Sequence, residues 1–101
     1  MTECIDMEKA RREEMRWVIL RSLYSAQPIG TSEIIVRAAI DPVCPGVAEL
    51  EIRQALDYLV ERKLIAVERK QVWFAKINNH GIDVVEYTVD CHPGIARPKK
   101  W

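Results

Sequence analysis

Residues 47–67 carry a helical pattern that passes into a strand pattern with no spacer. Ile52, Ala55, Leu56 and Leu59 recur at three- and four-residue intervals, which on a helix gathers them into one narrow sector. The opposite sector holds Leu50, Glu51, Arg53, Gln54, Asp57, Tyr58 and Glu61. Residues 64–67 and 72–77 then read as two strands, rich in the Val, Ile, Trp and Phe that suit a pleated surface. A polar turn over residues 68–71 joins them and puts Arg69 and Lys70 at its tip. A helix feeding directly into a two-stranded ribbon predicts a winged helix-turn-helix, mainly α with a small β-hairpin.

The rest of the chain fits that frame. Residues 6–25 read as one helix, with Met15, Val18, Ile19, Ser22 and Leu23 on one face and Arg11, Arg12, Glu13, Arg16 and Arg21 on the other. Gln27 and Pro28 end it, because the residue before a proline avoids the helical region. A second helix opens at residues 30–33. Thr31 or Gly30 is the expected N-cap, and Glu33 puts negative charge in the first turn. Ile34, Ile35, Ala38 and Ala39 are its expected apolar side, and Asp41 with Pro42 stops it. The loop over residues 41–46 holds two prolines and is longer than the simplest helix-turn-helix connection.

Asn78 can cap a fourth helix over residues 79–87, with Ile82, Val85 and Tyr87 turned inward. A third strand over residues 83–89 competes, because Val-Val and Tyr-Thr favour strands. Residues 90–101, with two prolines and a glycine, predict an extended tail. The expected division is a winged helix-turn-helix domain over residues 1–89 and a C-terminal tail over residues 90–101.

A chain of 101 residues has room for one domain with a modest core. Lys plus Arg and Asp plus Glu both number 15, so the balance lacks the basic excess that would point to nucleic acid. Only a local basic patch could serve. No apolar run approaches the roughly 18 residues of a membrane helix, and the N-terminus lacks the pattern of a secretion signal. Cys4, Cys44 and Cys91 are odd in number and far apart, which fits a reducing cytoplasm better than a disulfide framework.

Catalysis finds no support: there is no glycine-rich phosphate loop, no HExxH and no GxSxG. Cys44, Cys91, His80 and His92 have metal-binding atoms but no chelating spacing. The expectation is a binding protein without cofactor or metal.

Four segments carry a resemblance: RWVILRSLYSAQ at residues 16–27, EIRQALDYLVERKLIAVE at 51–68, INNHGIDVVEY at 77–87 and HPGIARP at 92–98. They resemble a group of small Mu-like phage and prophage proteins with a winged-helix fold. Gly81, Asp83, Val84, Pro93, Gly94, Arg97 and Pro98 match that group's pattern, while Asn78 stands where it commonly has threonine. The resemblance implies a phage-encoded protein acting inside a bacterial host, and no particular biochemical activity. A broader likeness to ArsR- and MarR-type repressors concerns the fold alone.

The primary expectation is a DNA-binding protein of a Mu-like prophage, a candidate transcriptional regulator, because in that fold the third helix enters the major groove of duplex DNA. Arg53 could then read guanine and Gln54 adenine, and Tyr58 could touch phosphate. Asp57 shares their outward sector and completes the candidate set on the helix. Arg69 and Lys70 would lie along the backbone. Arg11, Arg12, Arg16, Arg37, Arg97, Lys99 and Lys100 are further basic candidates, the last three in a C-terminal arm ending at Trp101. Glu49 and Glu51 count against DNA.

A homodimer is expected through the long first helix, with Trp17, Trp73 and Phe74 as core or interface packing. The rival expectation is an adaptor in phage assembly or DNA packaging. It would meet a protein partner through a neutral or acidic face with an apolar patch near Leu50.

Overall fold

The computed structural model describes the backbone of residues 2–100 and the side chains of residues 7–100. The Cys4 side chain and Trp101 lie outside them. Among the described residues, four helices and a small antiparallel sheet follow the order α1 (Thr2–Ser25), β1 (Thr31–Ser32), α2 (Glu33–Ile40), α3 (Glu49–Glu61), β2 (Ile65–Glu68), β3 (Phe74–Ile77), α4 (Asn79–Val85). Helix α1 packs against α2, α3, α4 and β3. The chain is thus mainly helical with a small sheet, as its pattern predicts.

The core is one cluster. Ile19, Leu20 and Leu23 of α1 meet Val36 and Ile40 of α2, Ile52, Leu56 and Leu59 of α3, and Val84 of α4, all buried. Fully burying a side chain of this kind contributes about 1.5–3 kcal/mol. The stripe on α3 is buried as read: Ile52, Ala55, Leu56 and Leu59 are its buried residues. On α1, Trp17 and Leu20 join the buried face, and Val18 and Ser22 stay partly exposed.

The sheet has three strands, not the two of a hairpin. Its order is β1-β3-β2, with Thr31 opposite Ala75 and Ser32 opposite Phe74. Two residues are too short to show period-two alternation, so sequence pattern passes over β1. Gly30 makes the approach possible: it has φ +89°, and a Cβ there would overlap the Ala75 carbonyl oxygen and crowd Lys76. Because the strand runs up to the first helical residue, Glu33, Ser32 is the N-cap of α2, in place of Thr31 or Gly30. Its hydroxyl accepts from the Ile35 N–H at 3.4 Å.

Helix α2 is rotated away from the sequence expectation. Glu33, Val36 and Ile40 are its buried residues. Ile34, Ile35, Ala38 and Ala39, expected inside, all face solvent. The cause is Glu33, whose carboxylate is held inward by Arg53 and by the Trp73 N–H. Val36 and Ile40 lie three and seven residues further on, so they follow Glu33 into the core.

Helix α4 forms, and the competing third strand over residues 83–89 does not. The Asn78 side chain accepts from the Gly81 N–H at 3.0 Å and caps it. Gly81, Val84 and Val85 are its buried residues, while Ile82 and Tyr87 are partly exposed. Both α3 and α4 end on residues in the left-handed region, Lys63 (φ +62°) and Tyr87 (φ +64°). After α3 the Leu64 N–H bonds the Leu59 carbonyl and the Lys63 N–H bonds that of Val60. This is the paired ending that usually falls on glycine.

Residues 90–100 form no helix or strand, yet they are anchored. Ile95 is buried in the core, the Ala96 N–H bonds the Glu13 carbonyl, and Arg97 donates to the carbonyls of Val84 and Val89. Among the described residues no helix is long and apolar enough to cross a membrane.

Candidate functional site

The candidate residues gather on one side, where α3 runs beside the β2–β3 hairpin. Glu49 and Glu51 open the helix. The Glu51 carboxylate accepts the Ala48 N–H at 3.0 Å and pairs with Arg11 from α1. These two contacts, the Ala48 N–H first, hold its carboxyl below the usual carboxylate range. Glu51 is therefore a structural cap that ties α1 to α3.

Arg53 sits one turn on, at the meeting point of three segments. Its Nε donates to Glu33 Oε1 at 2.9 Å, and one terminal nitrogen donates to Glu33 Oε2 at 2.6 Å and to the Gln71 carbonyl at 3.1 Å. Glu49 adds a fourth contact at 3.3 Å, and the guanidinium lies 4.9 Å from the Trp73 ring centre. Glu33 Oε2 also accepts the Trp73 N–H at 2.9 Å. The Arg53 hydrogen bond is the main cause that depresses the Glu33 carboxyl, and the Trp73 N–H adds to it. Arg53 binds α2, α3 and the hairpin loop together.

Asp57 and Arg69 pair across the groove between helix and hairpin. Both Nε and a terminal nitrogen of Arg69 reach Asp57 Oδ1, at 3.2 and 2.6 Å. Tyr58 is stacked between Arg16 and Arg62, whose guanidinium carbons lie 3.6 and 4.2 Å from its ring centre. Arg16 also donates to the Gly94 carbonyl at 2.9 Å. A Cβ on Gly94 would overlap the Tyr58 hydroxyl, so the C-terminal segment closes over this side of α3.

Gln54 and Lys70 remain exposed, and Lys70 makes no ion pair among the described residues. The most outward ridge of α3 is Leu50, Gln54, Asp57 and Glu61, spaced four, three and four residues apart. Leu50 is 66% exposed. The ridge carries one apolar side chain, one amide and two carboxylates, and no cation.

The sequence-level set thus divides. Arg53, Asp57, Tyr58 and Arg69 are brought together and engaged with partners in the same chain, while Gln54 and Lys70 face outward. Sequence reasoning missed Glu33 as the inward partner of Arg53. A carboxylate in a first helical turn has a sufficient local explanation in the helix dipole, and the two residues lie 20 positions apart.

His80 and His92 meet edge to face with ring centres 6.0 Å apart. Burial, then His80 and Arg62, lower the proton affinity of His92. Among the described residues no group of three or more His, Cys, Asp or Glu could hold a metal. Cys44 is buried in the core and Cys91 is half-buried. Comparison with protein families, with curated proteins and with solved structures finds no match.

Proposed function

We propose that the chain is a winged helix-turn-helix domain used as a protein-interaction adaptor, with α2 and α3 as the helix pair and β2–β3 as the wing. The even charge balance and the glutamates that open α3 support a place in phage assembly or DNA packaging, and the resemblance to Mu-like phage proteins adds only the bacterial host. The single observation that carries the adaptor reading is the ridge of α3. A helix that enters the major groove presents donors and cations to base edges and phosphates. Here the outermost positions are Leu50, Gln54, Asp57 and Glu61, and the nearby guanidinium groups of Arg53 and Arg69 are engaged by Glu33 and Asp57. An exposed leucine rimmed by carboxylates suits a protein partner better than a polyanion.

Duplex DNA is the second reading, and one observation favours it. The Asp57–Arg69 pair is about half exposed on both sides, and exposed pairs are worth little. Phosphate could therefore displace Asp57 and recruit Arg69 together with Lys70.

A photo-crosslinking side chain at position 50 or 54, compared with one at position 14 on α1, tests the adaptor reading in the bacterial host. The expected result is a discrete protein adduct from positions 50 and 54 and none from position 14. Equal labelling at all three positions, or labelling of nucleic acid, contradicts it.

A further inference from the structure

Helix α2 is apolar on both sides. Val36 and Ile40 are fully buried, yet Ile34 is 62% and Ile35 59% exposed, and Ala38 and Ala39 are exposed as well. An exposed apolar face of this kind marks an interaction surface, and here the outward half has no cover among the described residues. The exposed Pro42 and Val43 continue the patch past the helix end. A shallow open groove lined by Ile34, Arg37, Ala38, Asp41 and Pro42 runs along this face.

We propose that this face is covered by a second copy of the chain, with the two α2 helices antiparallel about a two-fold axis at Ala38. The face is its own complement, as an isologous contact requires. Antiparallel pairing about position 38 sets Ile34 against Pro42 of the second copy and Ala38 against Ala38, where two small side chains let the helices approach closely.

Charge follows the same register. Arg37 and Asp41 lie four residues apart on one side of the ridge. Pairing sets each Arg37 beside Asp41 of the second copy. Arg37 is exposed and makes no ion pair among the described residues. Asp41 Oδ1 accepts the Gly46 N–H at 3.4 Å, and Asp41 makes no ion pair among the described residues. The match yields two symmetric ion pairs along one edge of the apolar seam. The face is one eight-residue helix and the turn after it, against the roughly 20–30 residues a side of a standard interface, so the dimer is weak. The inference is independent of the α3 ridge and of the adaptor reading.

Sedimentation equilibrium of the full chain, from low micromolar to millimolar concentration, tests it. The expected result is a rise from monomer to dimer mass. Arg37→Asp and Asp41→Arg should each weaken the dimer about tenfold or more by placing like charges together, and the double variant Arg37→Asp/Asp41→Arg should restore it. Ala38→Glu, which touches no cap, should abolish the dimer while circular dichroism shows the fold retained. A wild type that stays monomeric throughout overturns the proposal. So does a dimer indifferent to Ala38→Glu, or a double variant as weak as the single ones.

Discussion

The Glu33 carboxylate and the Arg53 guanidinium meet through two hydrogen bonds, at 2.9 and 2.6 Å, and the same carboxylate holds the Trp73 N–H. One buried acid thereby fixes the rotation of α2, the approach of α3 and the path of the hairpin loop. It also decides which side of α2 faces solvent.

Glu33→Gln tests this clamp through pH. The folded carboxyl is held below its ordinary range, mainly by Arg53. Its contribution is therefore present above the unfolded value, near pH 4, and is lost as pH falls through the lower folded value. Urea denaturation should show wild type more stable than the variant by about 2 kcal/mol at neutral pH. That difference should close as pH falls below about 4. A difference that does not change with pH contradicts the clamp.

Lys63→Gly should stabilise the chain. Lys63 holds φ +62° at the end of α3, its side chain is exposed, and only its backbone serves the ending. Relief of the left-handed strain is worth about 1 kcal/mol. A melting temperature unchanged or lowered by the substitution counts against the described ending.

Gly81→Ala should destabilise. A Cβ at this position would overlap the Leu64 carbonyl oxygen and the Ile77 side chain, and overpacking of this kind costs about 1–3 kcal/mol. Chemical denaturation with a wild-type transition midpoint would mean that α4 sits further from β3 than described.

Ile95→Ala should cost about 3 kcal/mol, as for a core residue, because Ile95 is 5% exposed within the core cluster. A frayed segment would lose nothing, so denaturation equal to wild type contradicts the anchoring of residues 90–100.

How far the sequence could be read follows from the range of the forces involved. The α3 stripe, the hairpin and the Asn78 cap were legible because each is set by residues within about one turn or one strand pair. Ile34 and Ile35 misled because their periodicity fits a buried face. Only the distant Arg53 and Trp73, which turn Glu33 inward, decide otherwise. Strand β1 escaped for a similar reason: Thr31 and Ser32 become a strand only because β3 lies open beside Gly30. The tail reads as extended from Pro93 and Pro98, but Arg16, Arg97 and Ile95 anchor it through contacts far apart in sequence. At the site, Gln54 is exposed as its place on α3 implies, whereas Arg53, Asp57 and Tyr58 are only half-exposed and Tyr58 packs against the core. Whether such side chains are available depends on partners that composition cannot reveal.

The guanidinium groups of Arg53 and Arg69 beside α3 are held by Glu33 and Asp57, leaving a ridge unsuited to a polyanion. The most direct measurement is the anisotropy of labelled random duplex DNA titrated with the full chain across a series of salt concentrations. No saturable binding is expected at physiological salt, with the same result for wild type, Arg53→Ala and Lys70→Ala. Tight binding to duplex DNA whose affinity falls steeply with salt, with a shallower slope for Lys70→Ala and a relaxed base preference for Arg53→Ala, would contradict it.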